Sequence, residues 1–153
     1  MNRVQSCEME AGRTFVLSIE AGERLKQSIE EFCVQNHILY GTIAMVGTVD
    51  KGTRIVTALR ERLDRHMDPL HYEMITPAEA VGNGTIFPEG ELGLPAVHIH
   101  GSVGVNGTGV TGCFREDVVV WLSMEVVIHE LVGRGPVRAI NADTGIRTLA
   151  IEK

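Results

Sequence analysis

The stretch AVHIHGSVGVNGTGVTGC, residues 96–113, carries three side chains with metal-binding chemistry: His98, His100 and Cys113. On a strand, side chains two residues apart point to the same face, so His98 and His100 project together and Ile99 projects to the other side. Asn106-Gly107 has the composition of a two-residue type I′ turn. If the chain reverses there, Val105 pairs with Thr108, His100 lies opposite Cys113, and His98 lies opposite Arg115. Cross-strand partners share a face with Cβ atoms about 4.5–5.5 Å apart, which gathers two imidazoles and a thiol. A four-residue turn closing at Val105 and Val110 keeps the face but moves Cys113 opposite Ser102. Two neutral imidazoles and a thiolate are suited to zinc, and three protein ligands leave a fourth position for water, a ligand or a residue of another subunit. The same residues also make an ordinary hairpin with half-buried histidines and an inert thiol, so both readings stand at this point.

The surrounding elements must hold that hairpin. Residues 13–18 alternate and read as a strand. In residues 22–36, Leu25, Ile29, Phe32 and Cys33 fall at i, i+4, i+7 and i+8, one face of a helix, with Glu23 supporting its start and Asn36-His37 its stop. Beyond it the chain reads as β. Strands are expected at 41–49 and 53–59, joined by a short hairpin turn at Asp50-Lys51-Gly52, then at 70–75 and 81–87. Residues 88–95 hold two prolines and two glycines and read as a loop. Strands follow at 97–105 and 109–114. Residues 118–131 form a β-branched run, one bent strand or two, and 145–152 close the chain. The fold class expected is α+β: one main helix on a mostly antiparallel sheet or sandwich, in a single domain over residues 1–153 with its core at about 13–152.

Composition narrows the function classes. A chain of 153 residues with 44 % hydrophobic residues can bury a real core. No apolar stretch approaches the roughly 18 residues of a membrane span, and the polar start, with Glu8 and Glu10, is unlike a secretory leader, so the expected location is the cytoplasm. The net charge of −6 disfavours unaided binding to nucleic acid. The lysines are Lys26, Lys51 and Lys153, and the basic run 60–65 is interleaved with Glu61 and Asp64. Cys7, Cys33 and Cys113 do not make a disulfide framework; Cys33 lies on the apolar helix face and reads as core. The Asn-Gly-Thr triplets at Asn83 and Asn106 read as turns.

Other motifs in the chain are weaker signals. Gly107-Thr-Gly109-Val-Thr-Gly112 matches the dinucleotide pattern literally, but it lacks the following helix that such a site needs. His129-Glu130 is not continued as a zinc-protease motif, because Gly133 stands where the second histidine belongs. His66 and His71 flank Asp68-Pro69 and are candidates for completing a metal site, with a surface role as the simpler reading. Glu73 faces solvent or an interface, with general acid/base work as the alternative. Trp121 and Met124 read as core or interface residues.

The chain as a whole resembles the plants-and-prokaryotes conserved domain family (PPC or PCC domain). The resemblance is carried in order by RTFVLSIEAGERLKQSIEEFCVQNHI, GTIAMVGTVDKGT, LHYEMITPAEAVG, PAVHIHGSVG with GVTGC, SMEVVIHEL and TGIRTLAIEK. It implies a sandwich-like α+β domain assembled as a homotrimer. Prokaryotic members are often single domains of this size described as candidate DNA-binding proteins. In some members a metal sits at the histidine pair and at a histidine of a Gly-Gly-His-like segment. His98 and His100 match the pair; Cys113, after Gly112, stands in place of the last histidine. The plant members bind DNA through a separate Arg-Gly-Arg-Pro hook. Gly133-Arg134-Gly135-Pro136 lacks the flanking second arginine of that core. The functions expected are a zinc-binding module for a protein or small-molecule ligand, linked to transcription; a zinc enzyme activating water at His98, His100 and Cys113 with Glu73 or a histidine nearby; or a direct DNA binder.

Overall fold

The structure is a computed structural model and describes residues 4–61, 67–115 and 117–151. Its elements are β1 (Glu10–Glu20), α1 (Leu25–Gln35), β2 (Gly41–Val49), β3 (Arg54–Glu61), β4 (Met67–Glu73), β5 (Ala78–Glu89), β6 (Leu94–Val105), β7 (Thr108–Phe114), β8 (Val120–Val132), β9 (Val137–Ile140) and β10 (Arg147–Ala150). The sheet runs β1-β8-β2-β5-β6-β7-β3-β4, with β9 paired to β5 and β10. Every pairing is antiparallel except a single bridge between Glu89 of β5 and Arg138 of β9.

Alternation decides which face is covered. On β6, Val97, Ile99 and Val103 are buried while His98 and His100 are exposed. On α1 the spacing read from the sequence is the one found: Leu25, Ile29 and Cys33 are buried, and Ile29 and Cys33 are fully so. The helix packs on β6, and its apolar face joins Ile43, Ile86, Ile99, Met124 and Ile128 in one core. No helix among the described residues is long and apolar enough to cross a membrane. The helix stops as expected: Asn36 Nδ2 donates to the Phe32 carbonyl at 2.9 Å, and His37 takes a left-handed φ of 57°. Its start differs. Glu23 lies before the helix and no acidic residue occupies the first turn; instead Leu25 N donates to Val118 O at 3.0 Å and Val120 N donates to Glu23 O at 3.0 Å. Pairing with a distant segment replaces the local charge effect.

Long-range pairing overrides local signals elsewhere too. The turn at 50–53 closes, with Thr53 N donating to Asp50 O at 3.2 Å, yet β2 and β3 do not form a hairpin. Both edges of β2 are taken by β5 and β8, and β3 pairs with β4 and β7. The expected loop at 88–95 shrinks to Gly90–Gly93: β5 and β6 continue through Pro88 and Pro95 as paired residues. Asn106 is a turn residue (φ 52°), but Asn83 is mid-strand, opposite His100. The 118–131 run yields one long strand, β8, with an irregularity opposite Gly47–Val49. Met124 is core, whereas Trp121 is 42 % exposed and is not. Strand β9 has no counterpart in the sequence reading: four residues between two glycine-rich turns give too short a pattern to identify. His66 and most of the 60–65 run lie outside the described residues.

Two measurable consequences follow from this packing. A Cβ on Gly112 would come 2.5 Å from the Val56 carbonyl oxygen, because β7 passes close to β3 there. Gly112→Ala is expected to destabilise the domain by about 1–3 kcal/mol, as overpacking does, read as a shift of the denaturation midpoint. Cys33 is buried, and desolvation, reinforced by nearby Glu30, pushes its thiol up to about 12. In native protein at pH 8, alkylation should label exposed Cys7 and spare Cys33; denaturant should release Cys33 to react.

Candidate metal centre

The β6–β7 hairpin turns at Asn106-Gly107, both with positive φ (52° and 78°). Val105 pairs with Thr108 and His100 with Cys113, the register of the two-residue turn rather than the four-residue one. The ladder ends at Ile99–Phe114, one pair short of His98–Arg115. Gly107 supplies the second left-handed position at no steric cost. Gly109 and Gly112 lie within β7, and no helix follows among the described residues, so the dinucleotide pattern is accounted for by a turn and a strand.

One donor atom each from His98, His100 and Cys113 lies within 4.8 Å of the other two, the one such group of His, Cys, Asp and Glu found among the described residues. The two Nε2 atoms are 3.1 Å apart, and the rings meet edge-on with centroids 4.9 Å apart. Two nitrogens held tetrahedrally at about 2.0–2.1 Å from one zinc ion would be about 3.3 Å apart. The imidazole pair therefore already has the separation a shared ion requires, and the thiol needs only a small side-chain adjustment. Without an ion, the same contact is a hydrogen bond in which one Nε2–H donates to the other Nε2. The donor set fits a borderline divalent metal: two nitrogens, one sulfur and no carboxylate.

The electrostatics are mixed. Desolvation is the first cause that holds His98 down at about 4, followed by the positive charges of Arg138, His100, Arg115 and Lys26. By surface area His98 counts as exposed, yet it lines a concave pocket, where a ring face can be open while much of the ring's hydration is lost. The crowding of the pocket explains the shift better than the area does. The ring is thus neutral and ligand-competent near pH 7. The surrounding cations work against a bare dication, and a Cys113 thiolate would offset one charge. Cys113 is 7 % exposed, closed in by the sheet and by Val56 of β3 across the strand.

The other candidates are placed elsewhere. His71 on β4 pairs with Val56, one strand beyond Cys113, and is not in the donor group. His129 Nδ1 is 3.1 Å from Thr14 Oγ1 at the far side of the sheet. Glu73 is exposed on β4 and does not line the pocket beside His98. The sequence reading missed Arg138, which reaches the site from β9: its Nη2 donates to Thr85 Oγ1 at 2.7 Å, and Thr85 is the cross-strand neighbour of His98. Only the β9–β5 bridge brings it there, and no local pattern encodes that.

A family model, described as the Plants and Prokaryotes Conserved (PCC) domain, matches residues 7–132. The chain belongs to this family. The PCC match contains α1 and the whole β6–β7 hairpin, and it stops before β9 and β10. Solved structures agree on the fold. A metal-containing protein from Archaeoglobus fulgidus superposes with a TM-score of 0.83 at 24 % identity, over 97 % of this chain and 100 % of that one. A plant- and prokaryote-conserved protein from Pyrococcus horikoshii gives 0.79 at 23 % identity, over 98 % and 99 %. A protein from Bacteroides thetaiotaomicron, named as a proposed DNA-binding protein, gives 0.74 at 16 % identity, over 95 % and 99 %. No curated protein matches the PCC chain.

Proposed function

We propose that this PCC domain is a metal-binding module, with zinc at His98, His100 and Cys113, that recognises a ligand beside the metal. The observation that carries the reading is the convergence of three donor atoms within 4.8 Å on one face of one hairpin. The metal-containing Archaeoglobus protein, of the same fold, supports it. Zinc is preferred because one thiolate and two imidazoles match its common ligands. The protein's part is to fix two imidazoles by strand alternation and to set the sulfur opposite them by turn register. Bound zinc would supply a Lewis acid with a position left for an outside ligand.

A homotrimer is part of the proposal. Val16, Val46 and Val81 are 78 %, 51 % and 54 % exposed on the same open sheet face as His100, an apolar surface that assembly would cover. Light scattering should give three times the chain mass.

Binding is favoured over catalysis because, among the described residues that line the pocket, the one carboxylate is engaged and His98 is assigned to the metal. That carboxylate, Glu89, is held by Arg147 at 3.0 Å, and Glu73 is elsewhere. Direct DNA binding, and with it a transcription-linked role, draws on the naming of the Bacteroides protein, against the net charge of −6. The reading is tested by elemental analysis of protein purified without added metal. The expected result is close to one zinc per chain. Protein that carries no transition metal and takes up none from excess zinc contradicts it.

A further inference from the structure

A pocket of about 340 Å³ opens beside His98 and Cys113. Its volume is at the lower end of small-molecule sites, which run to about 300–1,000 Å³. Although the chain is acidic, four cations line this pocket, Lys26, Arg115, Arg138 and Arg147, against one carboxylate, Glu89. Two of the four are locally balanced. Lys26 Nζ lies 3.6 Å from Glu30, and Arg147 Nε lies 3.0 Å from Glu89. Arg115 has no ion pair among the described residues, and neither does Arg138. Among the described residues, two guanidiniums on the pocket wall are therefore without an ion pair, although Glu89 still attracts Arg138 at longer range.

Arg138 is also held in place. Its Nη2 donates to Thr85 Oγ1, and its guanidinium lies 5.6 Å from the Phe87 ring centroid. Its Nε is buried and finds no acceptor among the described residues. A buried donor without an acceptor is unfavourable by about 1–3 kcal/mol unless a ligand satisfies it. A guanidinium stays charged and presents a planar fork that fits phosphate oxygens. Leu59, Met67, Pro69 and Phe114 supply an apolar wall to the same pocket.

We propose that this pocket binds a small organic phosphate monoester, its phosphate held by Arg138 and Arg115 and its apolar body against Phe114, Leu59, Met67 and Pro69. The charge of such a group near pH 7, about −1.5 to −2, suits a pair of guanidiniums that have no ion pair among the described residues. Compactness favours a small ester over a polymer phosphate. The inference names the ligand class of the binding module proposed above, and it rests on that reading for its biological sense; the phosphate contacts themselves need no metal.

The experiment is calorimetric titration of the purified full chain with phenyl phosphate, with inorganic phosphate as competitor and with succinate and a short DNA duplex as alternative anions. Phenyl phosphate should bind saturably and be displaced by inorganic phosphate. Arg115→Gln, at an exposed position, and Arg138→Gln should each weaken it at least tenfold. His129→Ala, outside both the pocket and the donor group, should leave it within twofold, with or without bound zinc. No saturable binding of phenyl phosphate overturns the inference while leaving the metal reading intact. Equal binding by the Arg115 and Arg138 variants, or tighter binding of succinate, also overturns it. Displacement of phenyl phosphate by duplex DNA would reassign the pocket to a nucleic-acid backbone. Loss of zinc binding alongside retained phosphate binding would instead remove the metal reading alone.

Discussion

His98→Ala, His100→Ala and Cys113→Ala should each lower zinc affinity by more than about 100-fold, since even partners behind the ligands are commonly worth 10–100-fold. Each residue supplies one of three donors, and among the described residues no further His, Cys, Asp or Glu joins the group. Controls at His71 and His129, which lie outside the donor group, should keep full affinity. Cys113→His separates ligation from mere packing. It should retain metal, because imidazole is an equally good zinc donor, yet lose the sulfur-to-metal charge-transfer band seen after cobalt replacement. Retention of zinc by Cys113→Ala at parental affinity would exclude the thiol from the site.

The second large effect lies on the opposite side of the same strand. Ile99 sits between the two histidines in sequence, points away from them, and is 1 % exposed in the core shared with α1. Ile99→Ala should destabilise metal-free protein by about 2–5 kcal/mol, the loss expected for a buried isoleucine that leaves a cavity. His98→Ala, one residue away on the open face, should change it by no more than about 0.5 kcal/mol. The comparison must use metal-free protein at equal concentration, because metal and assembly both add stability by mass action. Urea midpoints give the contrast directly. Equal effects at positions 98 and 99 would mean that β6 does not separate a wet face from a dry one.

That contrast also explains how much could be read from the chain. Period-two alternation around Ile99 and the Asn106-Gly107 turn are local signals, and they gave the donor face and its register. The helical spacing of Leu25, Ile29 and Cys33 is local as well, and it gave the core face of α1. What escaped was set by distant partners. The turn at Asp50-Lys51-Gly52 has hairpin composition, but β2 already has two neighbours. Asn83-Gly84-Thr85 has turn composition, but it is clamped between β2 and β6. Arg138 reaches Thr85 through one parallel bridge from a four-residue strand. The common face of His98, His100 and Cys113 was therefore legible, and the cations around it were not.

X-ray absorption at the zinc edge of the purified protein tests the central claim most directly. The account predicts a nitrogen shell at about 2.0–2.1 Å and one sulfur at about 2.3 Å, with the sulfur lost and the metal kept in Cys113→His. Bound zinc with no sulfur neighbour in the parental protein would contradict it.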